Sequence, residues 1–143
     1  MRTIDSFSKT VGSMSTFNEM LSCGAKNLAL GVPVLDKSLR DEHMEFAKQI
    51  CEETGTKCVE EDDPFLTDLF RASLNKDKYN ILFYKDEFYL NSYYHLKARK
   101  KALVEAGNYS GEARYMIAYD FGKLLSYTDE AIHRMIAACI DRE

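Results

Sequence analysis

Apolar residues recur along most of the chain at the three- and four-residue spacing of amphipathic helices. The clearest such segment, TDEAIHRMIAACI, begins at the capping residue Thr128 and has acidic residues in its first turn. Start and stop signals bound other segments, among them the pair Asp63 and Pro64 before one helix and Gly55 after another. The pattern predicts six helices, over residues 16–23, 39–54, 64–74, 87–106, 111–127 and 128–140.

Shorter segments have the composition of β-strands. YNILFYK (79–85) is mostly β-branched or aromatic and is bounded by polar residues, and TKCVEE (56–61) is a second candidate strand. NLALGVPVL (27–35) is either a strand with an edge proline or a buried loop. Because strands alternate with helices, we predict a helix-dominated α/β fold with a small parallel or mixed sheet of about three strands covered by helices. Three consecutive helices form its C-terminal part.

The start of the chain differs from the rest. Its first fourteen residues are polar and rich in serine, and they show no apolar period. We therefore expect residues 1–14 to form a flexible N-terminal arm. Residues 15–143 would form a single α/β domain, since a chain of this length buries roughly 70% of its unfolded surface without disulfides.

Composition argues against several classes of protein. No apolar run approaches the roughly 18 residues of a membrane span, and the N-terminus lacks the apolar core of a secretory signal. We therefore expect no membrane partner and a cytoplasmic location. The cysteines form no C-x-x-C pair, which favours reduced, buried thiols without disulfides and argues against a zinc site or another cofactor. They are Cys23, Cys51, Cys58 and Cys139.

Charge is unevenly distributed over a chain whose net charge is −4. Residues 41–63 contain nine acids and two bases, whereas residues 95–101 contain four bases and no acid. A free nucleic-acid-binding protein is usually basic overall. This dipolar arrangement is more typical of a protein that is steered towards a protein partner, or of solvated helix faces.

The predicted helix from the cap Asp86 to about Ala106 carries the basic residues. At about 100° per residue, Tyr89 and Tyr93 fall on the side that we expect to face the core. A second line, with spacings of four, three and four, could contact an anion or a partner, or could consist of solvated lysines that cover an aromatic ring. That line is Leu90, Tyr94, Lys97 and Lys101, and the candidate partner-binding residues are Tyr94, Lys97, Arg99 and Lys101.

No catalytic or metal-binding motif is present. The three histidines, His43, His95 and His133, lie on different predicted helices, and the sequence leaves open whether they converge. The acidic run EEDD before Pro64 is best explained as a complement to the N-terminus of the helix predicted there. The sequence therefore leans away from an enzyme.

One glycine and its surroundings resemble a known family. Gly122 interrupts a strongly periodic helix, which indicates a close approach of another helix or of a ligand, with tight helix packing favoured. The segment FGKLLSYTDEAI (121–132), after YNILFYKDE and a long helix, resembles a family of small uncharacterised archaeal proteins with a G-[KR]-L-L-G-Y-P signature. The similarity covers residues 45–136, with Ser126 where the family has glycine and Thr128 where it has proline. The family has no assigned activity, so the resemblance implies a domain and no function.

These observations lead to one functional hypothesis and two alternatives. The main hypothesis is a small intracellular accessory protein that binds a protein partner through a charged, tyrosine-containing surface. The first alternative is a nucleic-acid or nucleotide-binding protein that uses the basic helix around Tyr94–Lys101. The second is a divergent metal-dependent hydrolase that uses the acids and histidines. The partner's identity and the oligomeric state stay open.

Overall fold

The computed structural model describes the whole chain, residues 1–143, as two compact units. The first unit comprises residues 1–64 and 77–85, and the second comprises residues 65–76 and 86–143. The helix-rich α/β class predicted from the sequence is confirmed. No helix combines the length and the apolar character needed to cross a membrane.

The first unit combines two helices with a three-stranded sheet. Its elements are α1 (Ser6–Ser22), β1 (Leu28–Leu30), α2 (Lys37–Thr54), β2 (Lys57–Glu61) and β3 (Asn80–Tyr84). The strand order is β1-β3-β2, and both outer strands pair antiparallel with β3. The prediction of a parallel or mixed sheet is therefore wrong. The β1–α2–β2 connection does give β1 and β2 the same direction, but β3 inserts between them in the opposite one.

Helix α1 begins ten residues before the predicted start at Thr16. Asp5 caps it by accepting hydrogen bonds from the amide and the hydroxyl of Ser8, both at 2.8 Å. Residues 6–14, which the sequence assigned to a flexible arm, are helical, and the Met14 side chain is 1% exposed. Serine and threonine hydroxyls along this helix donate to the carbonyl four residues earlier, which satisfies them without breaking the helix. Buried Asn18 interrupts the apolar stripe that would have predicted the helix.

Helix α2 packs with α1 against one face of the sheet. Its cap is Asp36, and it ends as predicted at Gly55, which has a left-handed φ of 71°. The core between the helices and the sheet is apolar. It consists of Met14, Leu21, Ala29, Met44, Ala47, Ile50, Cys51, Ile81 and Phe83.

A buried arginine explains the acidic run better than a helix N-terminus does. Arg40 of α2 is 1% exposed, and its guanidinium donates to the carbonyls of Glu61 at 3.2 Å and Asn80 at 3.0 Å. It also pairs with Asp62 at 2.6 Å and Asp41 at 3.0 Å. Burial lowers the pKa of Arg40, but these carboxylates more than compensate and raise it above its usual value. Arg40 thus ties α2 to the ends of β2 and β3, and the carboxylates keep its buried charge paired.

The second unit contains α3 (Ala72–Asn75), α4 (Glu87–Glu105), α5 (Gly111–Leu124) and α6 (Asp129–Ala138). The three consecutive C-terminal helices are confirmed, and Asp86 and Thr128 cap α4 and α6 as predicted. Their shared core includes Phe65, Tyr93 and Phe121, with the ring centroids of Phe65 and Phe121 5.0 Å apart.

The helix predicted over residues 64–74 is wrong except for its last turn, which lies in α3. Side chains from elsewhere occupy the backbone groups that a helix would need. The amide of Phe65 donates to the Tyr93 hydroxyl at 3.2 Å, and the Leu66 carbonyl accepts from Lys100 at 2.7 Å. Asp68 receives a bidentate pair from Arg114 at 2.7 and 2.8 Å. These tertiary bonds outweigh the local helical preference.

The close approach expected at Gly122 is present between α5 and α6. A Cβ placed on Gly122 would lie 2.5 Å from Cγ1 and 2.8 Å from Cδ1 of Ile132. Four residues further on, Ser126 has a left-handed φ of 69° and ends α5. The amides of Ser126 and Tyr127 donate to the carbonyls of Lys123 and Gly122, each at 3.0 Å, which is the Schellman arrangement. A left-handed φ is the backbone conformation that favours glycine, so serine is strained at this position.

Candidate functional site

Helix α4 carries the candidate site, and it is unusually exposed for its length. It spans 19 residues, of which only Tyr93 and Leu96 are buried. The core orientation predicted for Tyr93 is confirmed, whereas Tyr89 is only half-buried beside Phe88. Most of the surface of this helix is therefore open for contacts.

One side of α4 brings together three of the four predicted partner-binding residues. We call this surface the α4 flank and define it as Leu90, Tyr94, Lys97, Lys101 and Val104. At about 100° per residue these positions fall within about 80° of arc, roughly 90° from the buried side of the helix. Their spacings of four, three, four and three follow a heptad-like line along the whole helix.

The centre of the α4 flank is built on a fixed aromatic floor. The Tyr93 ring lies with its centroid 5.9 Å from that of Phe65 and 6.1 Å from that of Phe121. Its hydroxyl accepts a hydrogen bond from the Phe65 amide. The Tyr94 ring packs edge-on against Tyr93 with a centroid distance of 5.6 Å, yet 41% of Tyr94 is exposed. The Lys97 ammonium lies 5.5 Å from the centroid of the Tyr93 ring. Tyr94 and Lys97 are thus oriented by the core beneath them.

Arg99, the fourth predicted residue, lies elsewhere. It is two positions from both Lys97 and Lys101, which places it about 160° around the helix from either one. There its guanidinium pairs with Asp120 of α5. The structure therefore gives Arg99 a role in joining α4 to α5.

The remaining base of the cluster is also engaged within the unit. The Lys100 ammonium donates to the Leu66 carbonyl at 2.7 Å and pairs with Glu143. Of the four bases in residues 95–101, only Lys97 and Lys101 contribute to the α4 flank. No acidic residue lies between Glu87 and Glu105 on this helix, so Lys97 and Lys101 are the charged residues that α4 itself contributes to the middle of the flank.

The histidines have separate environments. His43 on α2 is buried against Phe7, at a centroid distance of 4.8 Å, and its Nε2 atom has no hydrogen-bond partner. His133 on α6 stacks on Tyr115 and Tyr119 of α5, and its Nδ1 atom contacts the Tyr115 hydroxyl. His95 is exposed on α4. The structure contains no group of three or more acidic, histidine or cysteine side chains that could hold a metal ion.

Sequence reasoning missed two buried polar groups. The first is Arg40, which lies on the core stripe of α2, four residues before Met44 and seven before Ala47. A charged residue at such a position indicates a buried charge that needs acidic partners. The second is Asn18 of α1, which is fully buried and accepts a hydrogen bond from the Thr56 hydroxyl at 2.6 Å. All four cysteines are thiols, but Cys23 is exposed and Cys58 half-buried, so the expectation that all are buried is wrong.

Comparison with known proteins does not identify the chain. No protein-family model matches it, no characterised protein is significantly similar to it, and no solved structure matches it significantly. The resemblance based on residues 121–132 stays a prediction.

Proposed function

We propose that this protein is a non-enzymatic accessory factor that binds an acidic, amphipathic helix of a protein partner along the α4 flank. The observation that carries the proposal is the flank itself, on which an oriented tyrosine and two lysines lie in line on a helix that buries only two of its residues. Tyrosine is favoured at interfaces because it offers a large, rigid, amphipathic contact.

The order of side chains along the flank defines the partner's chemistry. Leu90 and Tyr94 form an apolar end, Lys97 and Lys101 a basic middle, and Val104, which is 52% exposed, the other end. A partner helix with leucine opposite both ends and glutamate opposite the lysines would complement this order. The two lysines would then select the partner by charge and accelerate its association.

The nucleic-acid alternative is supported less well by the same charges. Arg99 pairs with Asp120 and Lys100 with Glu143, so the α4 flank itself carries two bases, on a chain whose net charge is −4. Binding to nucleic acid usually depends on more phosphate contacts than two lysines supply.

The test uses a fluorescently labelled helical peptide with glutamate and leucine on one face. We expect it to shift backbone amide resonances of residues 90–104 in NMR spectra of the full chain. Replacing Lys97 and Lys101 with glutamate should weaken binding about tenfold or more, since two interfacial ion pairs at about 0.5–1 kcal/mol each are lost and repulsion is added. Thermal stability should fall only modestly, because Lys101 is exposed and Lys97→Glu removes one contact of the ammonium with the Tyr93 ring.

Matched controls separate charge from position. Lys9→Glu with Lys37→Glu changes the net charge equally at exposed positions on α1 and α2 and should leave peptide binding intact. The same peptide with glutamine in place of glutamate should bind weakly. Binding that shifts other residues, or that ignores the Lys97 and Lys101 substitutions, contradicts the proposal. Tighter binding of labelled oligo-dT, with a log–log salt slope of about −1.4 for two phosphate contacts, would favour the nucleic-acid alternative.

A further inference from the structure

The outer side of helix α2 is acidic and amphipathic. Four of its residues, which we call the α2 face, are Leu39, Glu42, Glu45 and Phe46. Glu42 and Glu45 are exposed, Leu39 is half-buried, and Phe46 is 40% exposed. At about 100° per residue the four positions fall within about 120° of arc, on the side of the helix away from the core.

The aromatic ring of the α2 face is held from beneath. The Phe7 ring of α1 packs edge-on against Phe46 with a centroid distance of 5.4 Å, and it also contacts buried His43 at 4.8 Å. Asp36 caps the helix, and Arg40 bonds it to the ends of β2 and β3. The α2 face is therefore formed before any partner arrives, which lowers the ordering cost of binding.

The acids of the α2 face are distinct from those that neutralise Arg40. Asp41 and Asp62 pair with that guanidinium at 3.0 and 2.6 Å, whereas Glu42 and Glu45 take no part in the network. Both are exposed, so their negative charge is accessible to a cationic surface. An interface on this face would therefore leave the buried arginine and its partners undisturbed.

The order of side chains on the α2 face complements that on the α4 flank. The face runs apolar, acidic, acidic, apolar, and the flank from Tyr94 to Val104 runs apolar, basic, basic, apolar. At 1.5 Å per residue, these segments are about 10.5 and 15 Å long, so with their centres aligned no opposed pair is displaced by more than about 2 Å. The long side chains of lysine and glutamate cover that difference. The α2 face thus has the chemistry expected of a partner for the flank.

We propose that the chain associates with itself, the α2 face of one copy binding the α4 flank of a second copy. This inference rests on the proposed binding role of the flank and names its partner. Both surfaces are accessible in a single copy, so the contact forms between copies. Each copy carries one of each, so a pair either makes the contact twice or leaves one face and one flank for further copies.

The experiment measures sedimentation of the full-length chain as a function of its concentration. A helix-on-helix contact is smaller than a standard protein interface, so we expect association at about 0.1–1 mM chain. Lys97→Glu with Lys101→Glu, the flank variant, and Glu42→Lys with Glu45→Lys, the face variant, should each raise the concentration of half-association about tenfold or more. Each variant places like charges opposite one another in the contact.

Mixing the two variants is the decisive arm. The acidic flank of one then meets the basic α2 face of the other, so an equimolar mixture should associate at the concentrations at which the natural protein does, whereas each variant alone should not. Glu19→Lys with Glu130→Lys is the matched control. It changes the net charge as the face variant does, at exposed positions of α1 and α6, and should associate like the natural protein.

A measurement on the natural sequence covers the case in which a variant fails to fold. Amide resonances that shift with chain concentration should lie in residues 39–46 and 90–104, and shifts confined to other residues would overturn the inference. A mixture of two folded variants that stays monomeric would also overturn it. A natural chain that is monomeric at about 1 mM, while the glutamate–leucine peptide still binds residues 90–104, would overturn this inference and leave the proposed function standing. If the peptide does not bind either, both are wrong.

Discussion

Alanine in place of Gly122 tests the packing of α5 on α6 most directly. The new Cβ would lie 2.5 and 2.8 Å from two carbons of Ile132, about 1 Å inside the contact distance of roughly 3.5–4.0 Å between carbon atoms. Ile132 is fully buried and has little room to move. Overpacking of this kind costs about 1–3 kcal/mol, whereas alanine gains up to about 1 kcal/mol in helix propensity. We expect a net loss of about 0–2 kcal/mol, in place of the gain that alanine gives at an open helical position.

Gly12 supplies the matched control because it also lies inside a helix, α1, but has no atom within 4 Å of its Cβ position. Gly12→Ala should therefore stabilise the protein by about 0.5–1 kcal/mol through propensity alone. Urea unfolding followed by circular dichroism measures both changes. The reasoning is refuted if Gly122→Ala stabilises the protein as Gly12→Ala does. A further check is Ile132→Ala, which removes the clashing atoms, so that the double variant should lose at least about 0.5 kcal/mol less than the sum of the two single changes.

Three further substitutions test other contacts. Arg40→Ala should cost about 2–5 kcal/mol because it leaves buried carbonyls without donors, whereas exposed Arg134→Ala should change the urea midpoint little. Burial lowers the pKa of His43 below 6.5, although Glu42 opposes this, so the unfolded chain takes up a proton first as the pH falls. The contribution of His43 to the free energy of unfolding is therefore fully present above pH 6.5 and is lost as the pH falls below it. Between pH 7.5 and pH 5.5, the urea midpoint of His43→Leu should fall less than that of the natural protein. Ser126→Gly should raise the free energy of unfolding by about 0.5–1 kcal/mol by relieving the left-handed φ of 69°, and an unchanged urea midpoint would show that serine is not strained there.

The candidate site was only partly predictable from the sequence. Helical spacing placed Tyr94, Lys97 and Lys101 on one line, because the angle between residues of one helix depends on sequence separation alone. The same rule could have set Arg99 apart from that line. Its pairing with Asp120 could not be predicted, since that depends on how α5 packs beside α4.

Two errors in the fold predicted from the sequence have related causes. In α1, Asn18 interrupts the apolar stripe, and only the tertiary structure shows that its amide is satisfied by bonds to Met14 and Thr56. Over residues 64–71, the apolar spacing is helical, yet Asp68 and the backbone around it are bonded to side chains of α4 and α5. In both segments, contacts distant in sequence outweighed a local pattern.

What the sequence determined by itself was local. The caps Asp86 and Thr128, the left-handed stop at Gly55 and the aromatic run of β3 depend on neighbours within a few residues, and the helices and strand that they predict are present. The tertiary structure alone decided which strands pair with β3 and in which direction, and how the acids enclose Arg40. Each of these depends on the free energy of closing a loop and burying the enclosed groups together, which no residue determines through its immediate neighbours.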